Sequence, residues 1–360
     1  MKVIVSAGGT GGHIYPALAI INKIKDLEPD VKFLYIGTTN RMEKDIVPKE
    51  GIPYLGIEIS GLSRKNPFKN IKVIKDYLAN VKKIRKTISE FQPDIVLGIG
   101  GYVTAPVLRA AKKENIKTFI HEQNSIPGIT NKLLSKFVDK IGVSLESSLK
   151  YFPPSKTIFT GNPRSEEILK VKPILKSEIG LTETKKLVLI VMGSLGSTTM
   201  NKNLSETLPL FNNKDYEVMF VTGNDYYEKY KDLQVTSNVK IVPYLNNMIN
   251  ILPKTDLIIS RAGASTIAEI TALGIPSILI PSPYVTNNHQ LMNAKALLES
   301  DATVIMEEKN YNGKELVSLV DEILNNKNKY LSLKENAKKL GISDSATRIY
   351  KVIKELIQEG

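Results

Sequence analysis

The chain has 360 residues, 42% hydrophobic and 24% charged, more than one hydrophobic core usually organises, so two globular domains are predicted and a disordered chain is excluded. With no cysteine, disulfides and cysteine-ligated metals are ruled out and a cytoplasmic location is expected. The net charge of +12 asks for an acidic partner: nucleic acid, anionic lipid or a phosphorylated substrate.

Residues 3–5 are an apolar run too short for the core of a signal peptide, and no run approaches the length of a membrane span. The run leads into Gly8-Gly9-Thr10-Gly11-Gly12-His13, after which Ile14, Ala17, Leu18 and Ile21 recur at helical spacing. Strand, glycine turn, helix is the predicted order. Such a turn brings backbone N–H groups and the positive end of a helix up to an anion, because no Cβ atoms block the approach. His13, just inside the helix, is placed to move a proton beside that anion. The spacing is neither G-x-G-x-x-G nor a P-loop, so the anion's identity stays open.

Strands are predicted at residues 33–36, 54–59, 95–98, 118–121 and 141–143, mostly with helical patterns between them, which implies a parallel sheet covered on both faces. Ligands of such sheets collect beyond the carboxyl ends of the strands. A second glycine turn, Gly98-Ile99-Gly100-Gly101-Tyr102, and the polar segment His121-Glu122-Gln123-Asn124 are therefore expected on one rim with the first turn.

Between these lies a basic segment, residues 64–86. Arg64, Lys65, Lys69, Lys72, Lys75, Lys82, Lys83, Arg85 and Lys86 oppose only Asp76 and interleave with Phe68, Ile71, Ile74, Leu78 and Val81. A basic amphipathic helix can lie on an anionic membrane, and it can equally be a surface helix with its stripe in the core. The readings are compatible if one stripe is core while Phe68 and its neighbours are exposed. Nucleic acid is not expected, since no recognised motif accompanies the charge.

Prolines and a turn in residues 151–164 suit a linker. Beyond it, strands are predicted at residues 187–192, 217–221, 239–242, 257–260, 277–280 and 302–305, again opening with a glycine turn, Gly193-Ser194-Leu195-Gly196-Ser197. The expected architecture is α/β: two doubly wound, Rossmann-like domains with parallel sheets facing across a cleft, at residues 1–163 and 164–342. A final helix in residues 343–360 is expected to pack back on the first domain.

In the second domain, Ser260-Arg261-Ala262-Gly263-Ala264-Ser265-Thr266-Ile267-Ala268-Glu269 stands out, followed by Asn287-Asn288-His289-Gln290 and Asn293. Gly263 and Ala264 leave a helix start open to a diphosphate, and one turn later Glu269 offers two acceptor oxygens to a vicinal diol. Thr266-x-x-Glu269 also has the spacing of a helix capping box. Asn288, Gln290 and Asn293 suit sugar hydroxyls, though such a run is usually a polar loop. The histidines, His13, His121 and His289, lack the pairing of helix metal sites, and no Asp-x-Asp pair occurs, so no metal or other cofactor is expected. Helix dipoles would then meet the negative charge. A dinucleotide oxidoreductase shares the doubly wound plan, but the glycine spacings are wrong for it.

Taken in order, Gly8-Gly9-Thr10-Gly11-Gly12-His13, Gly100-Gly101-Tyr102, His121-Glu122-Gln123-Asn124, Gly161-Asn162-Pro163-Arg164, Gly193-Ser194 and residues 261–269 resemble the MurG family of N-acetylglucosaminyl transferases, of the glycosyltransferase family 28 type, over essentially the whole chain. The resemblance implies a GT-B fold, with UDP-GlcNAc held mainly by the second domain and lipid I by the first. It implies that Thr10, Gly11, Gly12, Asn124 and Arg164 line the sugar and phosphate side and that Ser194 touches the donor diphosphate. Leu245 would meet the uracil through its backbone, Ala264, Ser265, Thr266, Ile267, Ala268 and Glu269 would hold phosphate and ribose, and Gln290 would read the GlcNAc hydroxyls. Gly100, Gly101 and Tyr102 would lie on the acceptor side, and Phe68, Lys69, Ile71, Lys72, Ile74 and Lys75 at an anionic membrane on the inner face of the cell membrane.

Three departures stand out: Leu195 and Ser197 replace the family's usual Gln and Ala, Arg164 directly follows Pro163, and one residue is inserted before Asn287. The expected reaction is an inverting transfer of GlcNAc to the MurNAc 4-hydroxyl of lipid I, giving lipid II in peptidoglycan synthesis. His13 is the expected base and Glu122 its rival or orienting partner. The alternative is another GT-B UDP-sugar transferase with a lipid acceptor.

Overall fold

The structure, a computed structural model, describes residues 1–61, 69–193, 196–245 and 248–359; the side chains of Lys69 and Thr286 also lie outside that description. The chain forms two compact units, Met1–Glu166 with Asp344–Gly360, and Glu167–Ser343.

Unit 1 runs β1 (Lys2–Ala7), α1 (Gly11–Leu27), β2 (Lys32–Thr38), α2 (Glu43–Lys49), β3 (Tyr54–Ile57), α3 (Lys69–Phe91), β4 (Ile95–Gly100), α4 (Thr104–Lys113), β5 (Lys117–Glu122), α5 (Ile129–Leu134), β6 (Lys140–Val143) and β7 (Thr157–Phe159). The strands form one parallel sheet in the order β3-β2-β1-β4-β5-β6-β7. In β1 the two-residue alternation sends Val3, Val5 and Ala7 into one core and Ile4 into the other. Both faces are covered, so the strand reads as a continuous apolar run. The first core takes the Ile14, Ala17, Leu18 and Ile21 stripe of α1, and the second takes Val81, Ile84 and Ile88 of α3.

One expectation is corrected here. The strand predicted at 95–98 runs two residues further, so Ile99 and Gly100 are strand rather than turn, and Gly98 pairs with both Ser6 and Ile120. A Cβ on Gly98 would lie 2.7 Å from Leu108 Cδ2, so the glycine marks close packing of α4 on the sheet.

Unit 2 begins within α6 (Arg164–Leu169) and runs β8 (Leu187–Val191), α7 (Thr198–Thr207), β9 (Glu217–Val221), α8 (Asn224–Tyr230), β10 (Val239–Val242), α9 (Met248–Ile251), β11 (Leu257–Ser260), α10 (Ala264–Leu273), β12 (Ser277–Leu279), α11 (His289–Leu298), β13 (Val304–Ile305), α12 (Gly313–Asn325) and α13 (Lys327–Lys339). Its parallel sheet has the order β10-β9-β8-β11-β12-β13.

The last helix, α14 (Ser345–Gln358), returns to unit 1 and lays Ile349, Val352, Ile353 and Leu356 into the core beside α1. Polar clasps fix its register. The Ser345 hydroxyl donates to Asn162 O at 2.6 Å, and Thr347 donates through N and Oγ1 to Glu166, which also pairs with Lys23 at 2.8 Å. Tyr350 and Lys354 both reach Glu28 at 2.7 Å. Because Ile353 is fully buried, Ile353→Ala is expected to cost about 2–5 kcal/mol in unfolding by urea. A loss below about 1 kcal/mol would contradict the docking of α14.

Candidate functional site

In unit 1 the first glycine turn sits at the carboxyl ends of β1 and β4. Gly8 N donates to Gly100 O at 3.2 Å, and the two turns are in backbone contact. Gly101 has φ +88, and a Cβ there would lie 2.4 Å from Gly8 O; at Gly100, φ +130, a Cβ would meet the His13 ring. The glycines are therefore required by close approach and by left-handed backbone together. Beneath the turn, the fully buried Glu43 accepts from Gly9 N at 3.2 Å and from Thr38 N and Oγ1.

Helix α1 begins at Gly11 with Thr10 as its N-cap but no side-chain cap. Thr10 and Gly12 are exposed and Gly11 half-buried, so the helix start is open. The N–H groups of a first turn have no intrahelical acceptor of their own and favour an anion. His13 Nδ1 lies 3.0 Å from Gly8 O. A carbonyl only accepts, so Nδ1 donates there, and in the neutral ring Nε2 is the basic atom.

Glu122 ends β5 with almost no exposure. Its Oε1 accepts from Asn124 N at 3.0 Å and Nδ2 at 3.2 Å, and its Oε2 from Gly128 N at 3.0 Å and Asn131 Nδ2 at 2.9 Å. This carboxylate holds the loop to α5 in shape. His121, fully buried, has Nε2 3.0 Å from Gly161 O and Nδ1 3.1 Å from Gln123 Nε2. A neutral ring satisfies both contacts, Nε2 donating and Nδ1 accepting. Burial pushes its pKa down to about 4, against the smaller upward pull of the Gly161 bond. Tyr102 is half-buried past the second turn, and the Arg164 guanidinium lies over the Tyr15 ring, 5.6 Å from its centroid.

In unit 2, α10 starts at Ala264 after the N-cap Gly263, which lacks a side-chain cap. Thr266 is thus the third helical residue, and the capping-box reading of Thr266 and Glu269 is corrected: an N-cap must precede the helix. The first helical bond, Ile267 N to Gly263 O at 2.9 Å, leaves the N–H groups of residues 264–266 beyond the intrahelical ladder. The buried Ser265 Oγ has no hydrogen-bond partner among the described residues. Ile267 and Ala268 turn into the core, whereas Glu269 stays half-buried one turn on.

The third glycine turn bends at Gly193, φ +96, and Gly196, φ +75. Ser194 and Leu195 fall outside the described residues. Ser197 caps α7 by accepting from Met200 N. Leu245 O accepts from Met248 N at 3.3 Å. Gln290 Oε1 accepts from Ser282 N at 2.8 Å, and Asn293, fully buried, donates to Ala262 O at 3.2 Å and so braces the β11–α10 loop.

Helix α3 divides into two halves. Its carboxyl half is in the core, whereas Ile71, Ile74 and Leu78 are 57%, 54% and 60% exposed, next to exposed Lys72 and Lys75. Phe68, Arg64 and Lys65, and the Lys69 side chain, lie outside the described residues. No described helix is long and apolar enough to cross a membrane. Glu43 and the pairing of Arg261 with Glu308 at 2.6 Å were not foreseen from the sequence. Their partners are distant in the chain, and no local spacing announces them.

The N-terminal domain pattern of glycosyltransferase family 28 matches residues 3–143 and its C-terminal domain pattern residues 187–354. The chain is similar to the UDP-N-acetylglucosamine--N-acetylmuramyl-(pentapeptide) pyrophosphoryl-undecaprenol N-acetylglucosamine transferase of Bacillus cytotoxicus, 47% identical over 364 residues and covering 100% of both chains. Among solved structures it resembles Acinetobacter baumannii MurG with a TM-score of 0.77 at 26% identity, covering 98% of this chain and 99% of that one. A Neisseria meningitidis UDP-GlcNAc 2-epimerase bound to UDP-GlcNAc shares the fold, with a TM-score of 0.69 at 17% identity over 99% of this chain and 100% of that one.

The His121 environment predicts a pH effect of definite sign. Unfolded, the ring takes a proton near the ordinary 6.5; folded, it stays neutral down to about 4, so its contribution is complete above 6.5 and is lost as pH falls between those values. The stability gap between the wild type and His121→Gln, measured by urea unfolding, is expected to narrow by about 2–3 kcal/mol from pH 7 to pH 4. A gap independent of pH would contradict a neutral buried ring.

Proposed function

The chain belongs to glycosyltransferase family 28, and we propose that it transfers N-acetylglucosamine from UDP-GlcNAc to the MurNAc 4-hydroxyl of undecaprenyl-diphospho-MurNAc-pentapeptide, the step that forms lipid II for peptidoglycan. Its two units are doubly wound in the GT-B manner. The observation that carries the mechanism is the His13 contact: Nδ1 lies 3.0 Å from Gly8 O beside an open helix start, so in the neutral ring Nε2 is the basic atom.

The donor is an α-glycoside and the product a β-1,4 link, so the acceptor oxygen attacks C1 in line as the bond to the UDP oxygen breaks. The hydroxyl proton passes to His13 Nε2, and UDP leaves with the electron pair. In unit 2 the N–H groups that open α10, with Ser265, meet the diphosphate, and Ser194 adds a contact. Glu269 takes the ribose hydroxyls, the Leu245 backbone the uracil, and Gln290 the GlcNAc hydroxyls. In unit 1 the amides of Thr10, Gly11 and Gly12 meet the lipid pyrophosphate, with Gly101, Tyr102, Asn124 and Arg164 around the acceptor. Glu122 orients the loop that carries Asn124, because its four hydrogen bonds occupy both oxygens.

The exposed Ile71, Ile74 and Leu78 with Lys72 and Lys75 support peripheral binding to an anionic membrane, where the lipid acceptor resides. The expected address is the cytoplasmic face.

His13→Ala is expected to lose about 10²–10⁴-fold in kcat while UDP-GlcNAc still binds. A fully active variant would remove His13 from the base role. In a donor screen read by UDP release, UDP-GlcNAc should be preferred over UDP-glucose and UDP-galactose in the presence of lipid I; equal turnover would favour a broader UDP-sugar transferase. Lys72→Glu with Lys75→Glu should weaken association with phosphatidylglycerol vesicles and leave UDP-GlcNAc affinity unchanged. Vesicle binding that is unaltered at low salt would refute the surface.

A further inference from the structure

Arg261 leaves β11 at its carboxyl end and is only 8% exposed. Its Nη1 donates to Ile280 O at 3.0 Å, just past β12, and lies 2.6 Å from Glu308 Oε2, just past β13. Its Nη2 donates to Ser197 Oγ at 2.9 Å, past β8. Strands β8, β11, β12 and β13 are consecutive neighbours in the sheet. One planar guanidinium thus fixes the loops at the carboxyl ends of four adjacent strands, with the rigid fork geometry that lysine lacks.

We propose that Glu308 is a positioning residue for the donor site: it holds Arg261, and through Arg261 it holds Ser197 at the start of α7, beside the proposed donor diphosphate. This rests on the reading above that unit 2 takes the nucleotide sugar. Three observations carry it. Glu308 is itself 8% exposed, and its Oε1 has no hydrogen-bond partner among the described residues, so Arg261 is the one charge that holds the carboxylate there. A buried carboxylate so sparsely bonded costs stability unless the arginine beside it needs compensation. Ser197 Oγ accepts from both Arg261 Nη2 and Met200 N, which leaves its own proton to donate; an anion at the start of α7 is the matching acceptor. Gly196, just before it, has no slack, because a Cβ there would lie 2.3 Å from Thr222 O.

The test is steady-state kinetics with calorimetric titration of UDP, on folded full-length protein checked by thermal melting. Glu308→Gln is expected to weaken UDP binding and raise the UDP-GlcNAc KM by about 10-fold, with the acceptor KM unmoved and the effect on KM rather than kcat. Ser197→Ala should act in the same direction by about 5-fold, and Ser197→Thr should restore affinity. The double variant Glu308→Gln with Ser197→Ala should be no weaker than Glu308→Gln alone, since both act along one path. A folded Glu308→Gln protein with wild-type donor KM would overturn the proposal. If that variant does not fold, wild-type donor KM in Ser197→Ala overturns it instead. Wild-type protein that binds no UDP would remove the donor-site reading itself, an outcome distinct from either.

Discussion

Unit 1 depends on the contact of two backbones at the carboxyl ends of β1 and β4. Gly101 lies against the Gly8 carbonyl and Gly100 against the His13 ring, so any side chain at either position would part the turns. The Gly8 carbonyl that this contact fixes is also the acceptor for His13 Nδ1. One carbonyl therefore sets the position of the loop and receives Nδ1 of the histidine. Glu43 closes the arrangement from below. A buried carboxylate beneath a turn proposed to bind an anion would repel that ligand if it faced the same donors, but it consumes the Gly9 N–H and leaves those of the α1 start facing outward. Glu43 and the proposed ligand thus draw on different amides.

Unit 2 meets the same requirement, rigid loops at the rim of a parallel sheet, by a different route. To one close backbone approach, Gly196 against Thr222 O, unit 2 adds the arms of Arg261, together with Asn293 on Ala262 O and Asn201 on Thr222 O.

Much of this was legible in the sequence because parallel strands covered on both faces are apolar throughout and bounded by polar turns. The runs at 217–221, 239–242 and 257–260 coincide with β9, β10 and β11. Gly100 was read as turn because a glycine that admits a neighbouring His13 ring has the same letter as one that reverses the chain. Thr266 and Glu269 carry capping-box spacing, yet the helix starts two residues before Thr266, and spacing does not record where a helix begins. Asn293 looked like a sugar ligand and proved to be a brace, since a buried amide satisfies a backbone carbonyl as readily as a hydroxyl. Glu43 and Glu308 could not be read at all. Each finds its partner only when the sheet brings distant loops together.

The proposed membrane surface follows from the same division of labour within α3. Its carboxyl half is bound to the sheet by Val81, Ile84 and Ile88, so the helix is anchored whether or not its amino half is covered. Ile71, Ile74 and Leu78 are each a little over half exposed, and burying what remains would contribute on the order of 1 kcal/mol apiece. Each exposed lysine near an anionic surface adds about 1 kcal/mol more. Neither set alone holds a protein at a bilayer; together they give attachment that is reversible and sensitive to salt. An enzyme that must release one lipid-linked product and find the next acceptor in the same plane is served by attachment of that strength, and a deeper apolar anchor would bring no gain in reaching the sugar.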